Sequence, residues 1–160
     1  MIRISFYLYS MKITVRKAVS EDLNELSGLF DQYRMFYDKP SDTDAAKLFL
    51  QQRIQQKDSE IIVAELDGKL IGFTQLYPLF SSTRMRKYWL LNDLFVAPEY
   101  RGKGASKLLL EEAKTICRTT NACGILLETG KDNQIGNQLY PTCGFERYDH
   151  ANFYEWANAE

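Results

Sequence analysis

Histidine is almost missing from this sequence: among 160 residues, His150 stands alone. Cysteine is scarce too, and Cys117, Cys123 and Cys143 form no C-x-x-C pair. A zinc site needs clustered thiolates and imidazoles, and a disulfide framework needs cysteines in even number, so neither is expected. Unpaired thiols fit a reducing, cytoplasmic setting. An excess of charge of one sign is also lacking, since 20 Lys and Arg face 21 Asp and Glu. Without a broad basic field to neutralise phosphates, nucleic acid is not expected as a partner, although a local anion site remains allowed. Every apolar run is shorter than the roughly 18 residues that cross a bilayer, so no membrane partner is expected either. Repeats, low-complexity tracts and linkers are missing, which leaves a single domain over residues 11–160. At this length folding buries roughly two-thirds of the surface that the unfolded chain exposes, enough for a core without staples.

What is present is a well-punctuated succession of strand and helix patterns. Ile2, Ile4, Phe6 and Leu8 alternate with Arg3, Ser5 and Tyr7 ahead of a second methionine, Met11. Residues 1–10 therefore read equally as an extra strand or as the product of an upstream start codon. Lys12–Val19 alternates like a half-buried strand, and Ser20 is placed to cap a helix carrying Leu23, Leu26, Leu29 and Phe30. Ser41 with Asp44 resembles a capping box for a second helix through Leu48 and Ile54. Asp67-Gly68 joins Glu60–Leu66 to Lys69–Tyr77 and is the strongest hairpin signal in the chain. A polar stretch, Ser81–Lys87, leads into an apolar strand, Tyr88–Val96, interrupted by Asn92-Asp93. A helix from about Gly104 to Thr119 follows, then a strand at Gly124–Gly130, a short helix at Asn133–Tyr140 and a last strand at Asn152–Trp156. Hairpins in the first half and helical crossings in the second imply a mixed sheet.

The turn before the third helix reads Arg101-Gly102-Lys103-Gly104-Ala105-Ser106. The helix behind it has an apolar stripe of Ala105, Leu108, Leu109, Ala113, Ile116 and Cys117, which is core. No residue near Gly102–Ala105 is well placed as an N-cap, so several N–H groups at the positive end of the helix dipole need a partner, and an anion would serve. A glycine turn with its charges in water explains the turn alone equally well. The spacing is not that of a P-loop. It comes nearer to the dinucleotide fingerprint, with Glu128 at a suitable distance, but Lys107 stands where the third glycine belongs, and hairpin strands precede it.

The loop, following the strand Leu91–Val96, resembles the pyrophosphate loop [QR]-x-x-G-x-[GA] of the GCN5-related N-acetyltransferase (GNAT) superfamily, with serine in the last place. Further on, Asn133, Gly136, Tyr140, Gly144 and Phe145 resemble that family's N-x-x-A-x-x-x-Y-x-x-x-G-F segment, with glycine for alanine. The resemblance runs from about Met11 to Trp156 and looks most like small-amine, polyamine and histone acetyltransferases. It implies an α/β (α+β) fold: a mixed, mostly antiparallel sheet of six to seven strands flanked by about four helices, with two parallel strands splayed at the cofactor. It further implies acetyl-CoA as co-substrate without a metal, and acetyl transfer to a primary amine of a small molecule or peptide by direct attack in a ternary complex. A homodimer is left open. The competing readings are a non-catalytic acyl-CoA sensor and, with less support, a dinucleotide-binding protein.

For the cofactor the resemblance points to Phe95 and Val96 beside the pantetheine, Arg101, Gly102, Lys103, Gly104, Ala105 and Ser106 at the pyrophosphate, and Asn133 and Tyr140 further on. An alkylammonium of pKa about 10.4 is neutral in only about one molecule in 2,500 at pH 7, so deprotonation costs about 4.6 kcal/mol. A carboxylate can take that proton directly or through water. Asp93 is the first candidate and Glu128 the second; a carboxylate satisfied by a strand-end N–H is the structural alternative for Asp93. Asn92 stands where related polyamine acetylators can carry glutamate, and it cannot titrate. Tyr140 matches the family's proton donor to the departing thiolate, against the alternative of a ring that packs a helix. Tyr33, Phe36, Tyr37 and Asp38, with Asn92 and Asp93, would line the acceptor side, where aromatic and acidic walls suit a cation. Arg84, Arg86 and Lys87 could instead meet a carboxylate, and His150 reads as a loop residue.

Overall fold

A computed structural model describes residues 12–158, so the expectations for residues 1–10 lie outside the described residues. Two compact units divide the chain, one running to Glu128 and the other starting at Thr129. In the first, β1 (Thr14–Lys17) leads through a 3-10 turn (Ser20–Asp22) into α1 (Leu23–Phe36), followed by α2 (Thr43–Gln56). Then come β2 (Glu60–Leu66), β3 (Lys69–Ser81), β4 (Arg86–Val96), a second 3-10 turn (Pro98–Tyr100), α3 (Ala105–Thr119) and β5 (Ile125–Leu127). The five strands stand in the order β1-β2-β3-β4-β5, antiparallel throughout except for the parallel pair β4–β5.

The two-residue connection between β2 and β3 forms as expected. Asp67 and Gly68 both take positive φ, 51° and 79°, the conformation that matches the right-handed twist of the strands they join. β2 is buried on both faces: Ile61 and Val63 join Leu26, Leu29, Phe30, Ala46 and Leu50 in a cluster under α1 and α2. Ile62 and Ala64, which alternate with them, are fully buried on the face where α3 packs. On α3 the buried stripe is Ala105, Leu109, Leu110, Ala113 and Ile116; Leu108, expected in it, is exposed, and Leu110 is buried instead.

Both expected caps move. Ser20 begins a 3-10 turn, and it is Asp22 that accepts from the Val19 N–H at 2.8 Å, while also holding Arg16 at 2.6 Å. Ser41 and Asp44 form no capping box. Asp42 caps α2 by accepting from the Ala45 N–H at 2.9 Å, because the Ser41 hydroxyl is already committed to Asp31 of α1 at 2.7 Å. The polar stretch from Ser81 is a hairpin tip: β3 extends to Ser81, pairs with Arg86 of β4, and residues 82–85 turn between them. The strand expected over Gly124–Gly130 is regular only at Ile125–Leu127.

In the second unit, α4 (Gln134–Thr142) is capped by Asn133, whose side chain accepts from the Gly136 N–H at 3.0 Å. The helix continues one residue past Pro141, which sits in its final turn. Asn152–Trp156, expected as a strand, carries no regular structure, and Phe153, Tyr154 and Trp156 are exposed. The sheet therefore counts five strands among the described residues against the expected six to seven.

Candidate active site

β4 is the element around which the site is built. Its pairing with β3 slips by one residue: Gln75 faces Asp93 and Leu76 faces Leu91, so Asn92 is the extra residue of a β-bulge. Before the bulge, Leu91 shares the face of Leu76; after it, Asp93 and Phe95 share the face of Gln75 and Phe73, beneath α1. Strict alternation from Leu91 would have put Asp93 on the opposite face.

On the α1 face Asp93 is buried, at 4% exposure. Asn92 Nδ2 donates to its Oδ1 at 3.1 Å, and the Tyr33 hydroxyl reaches the same carboxylate while lying 3.4 Å from the Asn92 carbonyl. Burial pushes the Asp93 carboxyl above its usual range, and these two hydrogen bonds only partly oppose it. Tyr33 is pushed strongly upward by its own burial and by the neighbouring Asp93, so its phenol stays protonated and donates. Tyr33 stands edge-on to Tyr37 at 5.2 Å between centroids and to Phe95 at 6.2 Å, and Tyr37 to Phe36 at 5.2 Å. A wall of rings thus runs from the core to the exposed end of α1.

The other side of β4 is open at its C-terminal half. β5 pairs with Trp89, Leu90 and Leu91 and goes no further. Ala97 N–H turns inward to the Ile71 carbonyl, and the Asp93 carbonyl accepts from Thr74 Oγ1. By alternation the backbones of Leu94 and Val96 face the open edge. Arg101 Nε takes the Val96 carbonyl at 2.9 Å, and its guanidinium lies over the Phe95 ring. Leu94 is thus an edge residue that sequence reading passed over, because the bulge that turns it outward is invisible in the pattern.

At the end of β4 the chain enters α3 through Gly102 and Gly104, at φ 75° and 89°, which favour glycine. Gly104 is the N-cap and offers no side chain. The first backbone bond into the helix is Leu108 N–H to the Gly104 carbonyl, and among the described residues no acceptor meets the N–H groups of residues 102–107. Six donors at the positive end of a helix, with open space where either glycine would carry a Cβ, suit a bulky anion such as a pyrophosphate.

In the second unit, Tyr140 is half-buried, its ring edge-on to Phe145 at 6.0 Å between centroids. Asn133 spends its side chain on the α4 cap and on Thr129 Oγ1, at 2.9 Å. Glycine at 136 has a local reason: a Cβ there would stand 2.7 Å from Asn133 Nδ2.

The chain matches the Acetyltransferase (GNAT) family over residues 26–145. It belongs to the GNAT family. An uncharacterised N-acetyltransferase of Bacillus subtilis, YhfO, is 42% identical over 134 residues, 84% of this chain and 90% of that protein. A probable acetyltransferase of Haemophilus influenzae is 27% identical, covering 72% of this chain and 80% of its own. A crystal structure of a probable acetyltransferase, 34% identical, superposes with a TM-score of 0.88 over 92% of this chain and 99% of that one. This GNAT chain is therefore an acetyltransferase enzyme with the fold its sequence implied.

The remaining sequence-named residues separate. Glu128 is exposed, whereas Asp93 is enclosed. Arg86 is tied to the Asn121 carbonyl at 2.9 Å and Arg84 to the Tyr88 hydroxyl at 2.7 Å, so these two guanidiniums have structural partners at the hairpin tip. His150 is exposed beside Tyr148. Among the described residues no group of three or more His, Cys, Asp and Glu could hold a metal, and no helix is long and apolar enough to cross a membrane. Gln75 and Tyr77, which flank Leu76 beside Asp93, were missed; a glutamine inside an apolar strand was the available signal.

Proposed function

We propose that this GNAT enzyme acetylates a primary amine of a small molecule or peptide, using acetyl-CoA and direct attack by the amine. The observation that carries the reading is the run of unpartnered N–H groups at residues 102–107, lying at the end of a strand whose outer edge is open. The α3 start would hold the pyrophosphate through Gly102–Ser106, with Lys103 adding positive charge; the Leu94 and Val96 backbones would meet the pantetheine. Acetyl-CoA supplies the acetyl group in activated thioester form.

Asp93 is the base in this reading. Its raised pKa narrows the gap to an ammonium. Tyr33 and Asn92 fix the carboxylate in place. Tyr140, supported by its match to the family motif, donates its phenolic proton to the departing thiolate. The aromatic wall of Tyr33 and Tyr37 takes the acceptor, held near the carboxylate as a cation before it loses its proton.

The test is thiol release from acetyl-CoA with a panel of primary amines. Amine-dependent release abolished by Gly104→Glu supports the reading. Acetyl-CoA binding without release for any amine would point instead to a sensor.

A further inference from the structure

Asp93 stands at one end of an apolar surface that the chemistry above leaves unused. Because Asn92 is the extra residue of the bulge, the pairs Tyr77–Leu90 and Leu79–Tyr88 lie on the same sheet face as Gln75 and Asp93. Leu126 of β5, the partner of Leu90, extends that face by one strand. A Cβ at Gly124 would stand 2.6 Å from Tyr88 Cε1, so the ring lies across the start of β5. Tyr77, Tyr88, Leu90 and Leu126 are half-buried and Leu79 is 38% exposed, so this floor keeps surface that a ligand can reach. At its near end, burial and the Asp93 charge raise the Tyr77 phenol to about 12.

Charge along the floor suits one ammonium only. The Asp93 carboxyl responds to burial, Tyr33 and Asn92, and to no second charge among the described residues. Arg53 and Asp58 act on Tyr77 with opposite signs and pair with each other at 3.3 Å. At the far end Arg84 lies over the Tyr88 ring and donates to its hydroxyl at 2.7 Å. Leu79, the partner of Tyr88, is roughly 13 Å along β3 from Gln75 at the usual strand rise. A diamine laid along the floor would bring its second ammonium to a guanidinium. The carboxylate of an α-amino acid would be held beside Asp93, far from Arg84. We propose that Tyr77, Leu79, Tyr88, Leu90 and Leu126 form the subsite for the body of the acceptor, a primary monoamine with an alkyl or arylalkyl chain. This inference rests on the reading of the Asp93 face as the acceptor side. It sets polyamines and free amino acids below hydrophobic monoamines as substrates.

Steady-state acetylation of a matched series tests it: n-alkylamines from propylamine to octylamine, with phenethylamine, against diamines and α-amino acids of equal length. For the wild type kcat/KM is expected to climb about two- to fourfold per methylene, as partial to full burial of each one gives. Octylamine should exceed the diamine of equal length by about tenfold or more, because the second ammonium would lie on an apolar floor without a partner. Leu79→Ser and Leu90→Ala remove floor area at positions that are partly in water. Each should cut the octylamine-to-propylamine ratio about three- to tenfold. The ratio is taken within one preparation, so a loss of folded protein cancels. If Leu90→Ala does not fold, Leu79→Ser alone decides. A flat series in the wild type, a preference for diamines or amino acids, or folded variants that keep the full climb overturns the subsite. Asp93→Asn separates the two levels. It should lower turnover of every amine and keep their ranking, whereas unchanged turnover would overturn the acceptor-face reading. A wild type that acetylates no amine overturns both.

Discussion

Burial takes the Asp93 carboxylate out of water, and the Tyr33 and Asn92 hydrogen bonds only partly compensate, so the native state binds this proton more tightly than the unfolded chain does. The sign of the linkage follows. As pH climbs from the ordinary carboxylate value through the raised one, the native state loses stability relative to the unfolded state. Asp93→Asn should flatten that part of the stability curve, measured by urea unfolding across a pH series. If Asp93 is the base, it acts only when deprotonated. The kcat for a good amine should rise with pH through a value above the usual range for aspartate, and the Asn variant should lose that limb. A limb that survives in Asp93→Asn would move the base elsewhere, to exposed Glu128 or to water. Tyr140→Phe keeps the ring against Phe145 and removes only the hydroxyl. If that hydroxyl donates to the thiolate, kcat falls by about 10²–10⁴, equivalent to about 3–5 kcal/mol in the barrier, with acetyl-CoA affinity nearly unchanged. A loss below about threefold, less than even a weak general acid supplies, would leave packing as the residue's role.

The start of α3 carries the cofactor reading at the scale of elements. Gly104→Glu places a negative charge among unpartnered N–H groups and a side chain at φ 89°, so calorimetry should detect no acetyl-CoA binding. Gly104→Asn, which tolerates that backbone better, should fold normally and retain weakened binding. Strong binding by the Glu variant would remove the loop assignment. The corner between α1 and α2 depends on a residue that sequence reading never singled out. Asp31 is buried and accepts from Ser41 Oγ at 2.7 Å and from the Asp42 N–H at 2.8 Å, which holds its pKa below the ordinary value. Asp31→Asn should cost about 1–3 kcal/mol of stability and raise KM for the amine while leaving acetyl-CoA binding intact. Equal loss of cofactor binding would show that the corner supports the whole unit. The β2–β3 hairpin and α3 were legible from the chain because their signals are local: two residues fit for positive φ, and an apolar stripe at helical spacing. The α2 cap was not. Ser41 has the right chemistry to cap, but Asp31, ten residues earlier, claims its hydroxyl.

For the whole molecule, a ligand bound only by the native state shifts unfolding by mass action. Acetyl-CoA at a hundred times its Kd should add about 2.7 kcal/mol, a rise of roughly 5–10 °C in Tm for a chain of this size. Stabilisation by NADH in place of acetyl-CoA would revive the dinucleotide reading. The sequence by itself determined the order of elements, the hairpin, the glycine loop with its missing cap, and the family to which the motifs belong. Each of these depends on residues close together in the chain. Only the tertiary structure decided that β5 stops opposite Leu91, that Asp93 rather than Glu128 is enclosed, and that Gln75 lies across from it on β3. The face a strand residue occupies is set by register against its neighbour, a long-range property, and one extra residue at Asn92 turns over every side chain that follows.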